Sequence, residues 1–128
     1  MLYTDVFTGS NVYPSELSYS AVALSSDIYL SWPTETSTVT DLAARIMDIT
    51  PDAAGHSIYL PDALNSGTGN TILFSNRGAY TFTVKDADGT QVVTIAAGEL
   101  WQVYLSDNST SAGVWHILEY GATTSIAN

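Results

Sequence analysis

Cysteine is absent from this 128-residue chain, which excludes disulfides, thiolate metal sites and a cysteine nucleophile. Basic residues are almost as scarce: Arg45, Arg77 and Lys85 stand against thirteen Asp and Glu, for a formal net charge of −10. Nucleic-acid backbones are held by clustered Lys and Arg that displace counterions, and three scattered cations make no such cluster. An anionic membrane surface is disfavoured for the same reason. No apolar run approaches the roughly 18 residues that a membrane helix needs. The opening MLYTDVFTGS has neither the basic nor the apolar region of a secretory signal. Ions of either sign make up only 12% of the chain, and the low Lys and Glu content argues against exposed helices.

What remains is apolar and hydroxylated. Hydrophobic residues form 45% of the sequence, enough for one core, and this length suits one domain of roughly 100 to 200 residues. Apolar and polar residues alternate almost throughout, the period of strands. SYSAVALS (18–25) puts Tyr19, Ala21 and Ala23 on one face and Val22 and Leu24 on the other. DIYLSWP (27–33) sets Ile28, Leu30 and Trp32 against Tyr29 and Ser31. HSIYLP, TILFSN, YTFTVK, QVVTIA, ELWQVYL and GVWHILEY follow, separated by turn-rich PDALNSGTGN, NRGA, DADG, AAG and SDNSTSAG. In TDLAARIMDITP (40–51) a short helix from Thr40 or Asp41 competes with a strand over RIMDIT. Such a helix would span under three turns, and Pro51 disfavours helix at Thr50, so the strand is expected. The expected fold is all-β: an antiparallel β-sandwich or jelly-roll-like domain over 18–120, an extended N-terminal arm over 1–17, and a tail over 121–128.

The longest ribbon is AYTFTVKDADGTQVVTIAAGELWQVYL (79–105). A two-residue type I′ turn at Asp88-Gly89 would set Ala87 against Thr90, Val84 against Val93 and Phe82 against Ile95. A three-residue loop would instead pair Val84 with Val92 and Phe82 with Thr94, a poorer apolar match, so the tight turn is expected. After Gly98, Leu100, Gln102 and Tyr104 alternate with Trp101, Val103 and Leu105, leaving both faces largely apolar. One face then belongs to the core and the other to a neighbouring subunit.

Reactive chemistry is thin. Asp86-x-Asp88-Gly89 resembles the start of a calcium loop, but an EF-hand needs Gly at position six and Glu at position twelve, where this chain has Gln91 and Ala97. Turn carboxylates are the expected role. His56 and His116 each sit alone at a strand, without the further ligands of a zinc site. No G-x-S-x-G elbow marks a serine nucleophile, and none of the acids sits in a motif that marks a glycosidase pair. Asn108-Ser109-Thr110 matches a glycosylation sequon inside a polar loop. Neither a catalytic residue nor a cofactor is expected. The aromatic residues remain. Trp101, Tyr104 and Trp115 are the candidates for an oligomer interface or a glycan contact, since rings dominate both kinds of surface.

The runs LPDA (60–63), ILFSNRGAYTFTVKDADG (72–89), TIAAGELWQVYLSDNSTSAGVW (94–115) and GATTSIA (121–127) carry a resemblance. With VYPSELSYSAVALSSDIYLSWPTET and IMDIT, the chain resembles a virion-protein domain of tailed bacteriophages, specifically the N-terminal β domain of tail-fibre-like proteins. The resemblance implies a non-enzymatic structural component of the virion, made in the bacterial cytoplasm. It would be a tail fibre or its virion-attachment domain, assembling as a homotrimer and with other virion proteins. A capsid decoration (cement) or head-fibre protein is the alternative within that class. A carbohydrate-binding adhesin for host surface glycans is the alternative outside it.

Overall fold

A computed structural model of the chain describes residues 3–4, 11–12, 19–32 and 42–120. Its strands are β1 (Tyr3–Thr4), β2 (Asn11–Val12), β3 (Tyr19–Leu24), β4 (Ile28–Tyr29), β5 (Ile46–Pro51), β6 (Ser57–Tyr59), β7 (Thr71–Asn76), β8 (Phe82–Lys85), β9 (Gln91–Ile95), β10 (Leu100–Asp107) and β11 (Val114–Tyr120). The one helical element among the described residues is a 3-10 turn, Ala63–Asn65, capped by the Asp62 carboxylate. Residues 46–51 are the expected strand. Within the expected N-terminal arm, β1 and β2 pair antiparallel with each other. The rest of that arm and the tail over 121–128 lie outside the described residues.

Two sheets pack as a sandwich. A five-stranded sheet has the order β11-β10-β7-β5-β3, and a four-stranded sheet has the order β4-β6-β8-β9. Between them lies one core that includes Leu24, Met47, Ile49, Ile72, Phe74 and Val103 from the first sheet. Ile58, Phe82, Val84, Val93 and Ile95 enter it from the second. Phe74 and Phe82 meet edge to face across the layers, 6.3 Å between ring centroids. The strand faces follow the alternation: Val22 and Leu24 turn inward while Tyr19, Ala21 and Ala23 stay exposed.

The sheets are mixed rather than purely antiparallel. From β3 to β8 the chain places successive strands in opposite layers. Returning to a layer after one strand in the other makes β3, β5 and β7 parallel neighbours, and likewise β4, β6 and β8. A parallel pair needs a crossover connection, and here a strand of the facing sheet serves as one. Only β7–β10, β10–β11 and β8–β9 run antiparallel in these two sheets. Alternation in the sequence fixes which way a side chain points; it carries no information on the direction of the neighbouring strand.

The β8–β9 hairpin holds both registers weighed from the sequence. Phe82 lies opposite Ile95 and Val84 opposite Val93, as expected, but Lys85 lies opposite Gln91. Val92 is therefore an extra residue, a bulge in β9. The loop is not the expected type I′ turn, because that type needs positive φ at both central residues and only Gly89 has it, at 91°. Instead Asp86 N–H donates to Thr90 O at 2.8 Å and Gly89 N–H to Asp86 O at 3.0 Å, closing a three-residue loop. The Asp86 carboxylate favours that loop by accepting the Asp88 and Thr90 amides at 2.9 and 3.0 Å. The bulge then restores the apolar pairing below it.

Candidate functional site

The three aromatic candidates do not share a surface. On β10, Trp101, Val103 and Leu105 face the four-stranded sheet, and on β11 Trp115 lies opposite Leu105 on that same side. Trp101 and Trp115 pack against the core, and the Trp101 indole N–H donates to the Glu99 carboxylate at 3.1 Å. Their exposure is partial, so they are not an open sugar platform. Tyr104 points the other way, onto the outer face of the five-stranded sheet. There it stacks on His116 at 5.1 Å between centroids, and His116 Nε2 lies 2.8 Å from Ser106 Oγ.

That outer face is the most unusual surface among the described residues. The strand registers align three rows across it. One row runs Tyr120, Leu100, Ser75, Asp48, Ala21. The second runs Leu118, Gln102, Leu73, Ile46, Tyr19, and the third His116, Tyr104, Thr71. Tyr19, Ile46, Tyr104, Leu118 and Tyr120 are all exposed, Leu118 to 53%. Asp48 is the one carboxylate in these rows, and the Tyr19 hydroxyl donates to it at 2.6 Å. This hydrogen bond, with burial and the Asp48 charge adding to it, raises the Tyr19 phenol above its ordinary range, with Arg77 opposing. Tyr120 hydroxyl donates to the Gln102 side chain. Two polar pairs in the rows thus bond each other, Tyr19 with Asp48 and Tyr120 with Gln102, while the rings and aliphatic chains meet solvent. Exposed contiguous apolar surface of this kind marks association sites in folded proteins.

Alternation in β10 pointed to this surface, and Tyr104 belongs to it. The participation of Tyr19, Ile46, Leu73 and Leu118 was not legible, because parallel β3–β5–β7 pairing brings together segments remote in sequence.

The outer face of the four-stranded sheet carries a different feature. Tyr29, on the short edge strand β4, is 62% exposed and stacks on Tyr59 at 4.2 Å, nearly parallel. The Lys85 ammonium stands 5.6 Å from the Tyr59 ring centroid. One face of each ring is thus spent on the other, and the free aromatic face belongs to Tyr29.

Where β9 and β11 form the two sheet edges on one side of the sandwich, an open groove of about 470 Å³ lies between them. Asp86, Val92, Trp115, His116 and Ile117 contribute to its walls. Ile117 occupies a core-facing position, opposite the fully buried Val103, yet is 42% exposed. The five-stranded sheet overhangs its partner there.

The remaining motifs resolve into local structure. Asp88 and Gly89 form the hairpin tip, and Asp88 accepts the Ser111 hydroxyl at 3.1 Å. His56 contacts Asp52 at 2.8 Å. Asn108 of the sequon donates its side-chain amide to Ser66 O at 2.8 Å. Among the described residues, no three His, Asp or Glu side chains converge as metal ligands would.

Comparison with known proteins adds little to this surface. No family model matches the chain, and no curated protein matches it. One solved structure, described as "Structure of a chaperone-substrate complex", is similar over 77% of this chain and 17% of its own, at 11% identity and a TM-score of 0.46.

Proposed function

We propose that this chain is a structural, non-enzymatic component of a tailed-bacteriophage virion, a tail fibre or its virion-attachment domain, which works by assembling with copies of itself and with other virion proteins. The observation that carries the assembly role is the outer face of the five-stranded sheet, whose three aligned rows hold a single carboxylate, Asp48. On a chain with a net charge of −10, copies repel one another over most of their surface. A face whose one carboxylate is already hydrogen-bonded to Tyr19 is where they meet at least electrostatic cost. The sequence resemblance supplies the phage context, and a sandwich of short strands whose outer face is covered by a neighbour suits a durable particle.

Light scattering of the parent should give a multiple of 13.7 kDa, and the homotrimer expected from the resemblance would give about three times that mass. Leu118→Asp, which puts a carboxylate at the β11 end of the second apolar row, should lower the mass with the far-UV spectrum unchanged. A parent that is monomeric at micromolar concentration would remove the assembly role. Electron microscopy of labelled virions separates a tail position from the capsid-decoration alternative, which would use the same face.

A glycan-binding reading is favoured by Tyr29 alone, whose free ring offers one stacking position for a sugar. Titration of host polysaccharide against the parent and Tyr29→Ala tests it. Equal binding by the two, or none by either, would end that reading.

A further inference from the structure

We infer that two copies of the chain join edge to edge through β11, antiparallel across a two-fold axis at Ile117, so that the five-stranded sheets become one continuous ten-stranded sheet. The inference rests on the self-association proposed above and adds to the outer-face contact a second one, at the sheet edge.

Edge strands expose unpaired N–H and C=O groups, and folded proteins blunt them by shortness, bulges, Pro or Lys. The four edges of the two sheets differ in this respect. β4 has two residues, and β9 carries the Val92 bulge. β3 is parallel to its neighbour and six residues long. β11 is the longest at seven residues, VWHILEY, with neither Pro nor Lys, and among the described residues nothing pairs with its free side. Its side chains are exposed or half-buried on both faces.

The occupant follows from self-complementarity. Antiparallel pairing of β11 with a second β11, centred on Ile117, sets Ile117 against Ile117, His116 against Leu118, Val114 against Tyr120 and Trp115 against Glu119. This register overlaps the strands along their full length. It also keeps core-facing residues beside core-facing residues, whereas a one-residue slip would mix the faces. It continues the apolar outer rows across the axis, because Leu118 and Tyr120 then border His116 and Val114 of the second copy. No two carboxylates are placed opposite each other, which matters for so acidic a chain. An isologous contact of this kind closes on itself and gives pairs rather than filaments.

The absence of cysteine makes the test clean. Ile117→Cys would put two thiols face to face at the axis, where opposite Cβ atoms lie about 4.5–5.5 Å apart, near disulfide range. Diamide, a two-electron oxidant, should convert this variant to a disulfide-linked pair on a non-reducing gel. Glu119→Cys alone should not cross-link, since its two copies lie four positions, about 13 Å, apart along the strand. An equimolar mixture of Trp115→Cys and Glu119→Cys should cross-link as a heterologous pair, which keeps the test intact if Ile117→Cys folds poorly. Light scattering of the unmodified chain should give an even multiple of 13.7 kDa. A trimer without these cross-links would overturn the two-fold contact and leave the assembly role standing. A monomer would overturn both.

Discussion

Asn76, at the end of β7, holds Ile95, at the end of β9 in the facing sheet: its side-chain amide donates to Ile95 O at 3.0 Å. The same amide donates to Tyr80 O at 2.7 Å, and its carbonyl accepts the Gly78 N–H at 3.0 Å. Asn76 is 2% exposed, so one buried polar group ties the two layers and the intervening turn together.

Asn76→Ala should therefore destabilise the fold by about 2–4 kcal/mol, because buried backbone groups lose their partners along with the hydrogen bonds themselves. Urea unfolding followed by tryptophan fluorescence measures it. A loss under about 1 kcal/mol would show that those backbone groups find other partners.

Gly113 precedes β11 at φ +68°, and a Cβ there would stand 2.5 Å from Ala63 Cβ and 2.8 Å from Leu105 Cδ1. Both the backbone conformation and the space require glycine. Gly113→Ala should cost more than about 2 kcal/mol, and Gly69→Ala, where φ is +88° but nothing lies within 4 Å, should cost about 1. Thermal melts of the two variants should preserve that order; equal losses would mean that crowding at Gly113 is relieved by movement of the loop.

The hairpin gives a third prediction. Asp86→Ala removes the acceptor of two turn amides and should destabilise by roughly 1–3 kcal/mol, whereas Asp86→Asn, which keeps a carbonyl acceptor, should lose less. Amide hydrogen exchange at Asp88 and Thr90 should quicken in Asp86→Ala first.

Asp107 gives the pH dependence. Its carboxylate accepts the Ser109 hydroxyl at 2.6 Å and the Ser109 amide at 2.8 Å, and these bonds, the hydroxyl foremost, hold its pKa below the ordinary carboxylate range. With the folded value depressed, its contribution to stability is present above the unfolded pKa of about 3.9 and is lost as pH falls through the folded one. Ser109→Ala should move the Asp107 titration up towards that ordinary value without abolishing the shift, since the amide remains. A carboxyl-carbon NMR titration that does not move would refute the hydroxyl's part.

The ribbon from Phe82 to Leu105 shows how far the sequence could be read. Phe82, Val84, Val93 and Ile95 were legible as one buried face, because residues two apart must point the same way. The loop was misjudged, because tip and base hold different registers and the Val92 bulge joining them leaves no mark in the alternation. Trp101 and Tyr104 were legible as members of opposite faces of β10. That Trp115 lies on the Trp101 side depended on the register between β10 and β11, which the sequence did not specify.

By itself, the sequence settled the strands from β3 to β11, most of their inward and outward residues, and the shortage of positive charge, since each of these depends only on residue type and local spacing; the short β1–β2 pair was not legible in it. The order and direction of the strands, and the joining of Tyr19, Ile46, Leu73 and Leu118 into one exposed surface, were decided by the tertiary structure alone. Pleating is set by neighbours two residues away, whereas the alternation of layers is set by how six successive segments close over a common core.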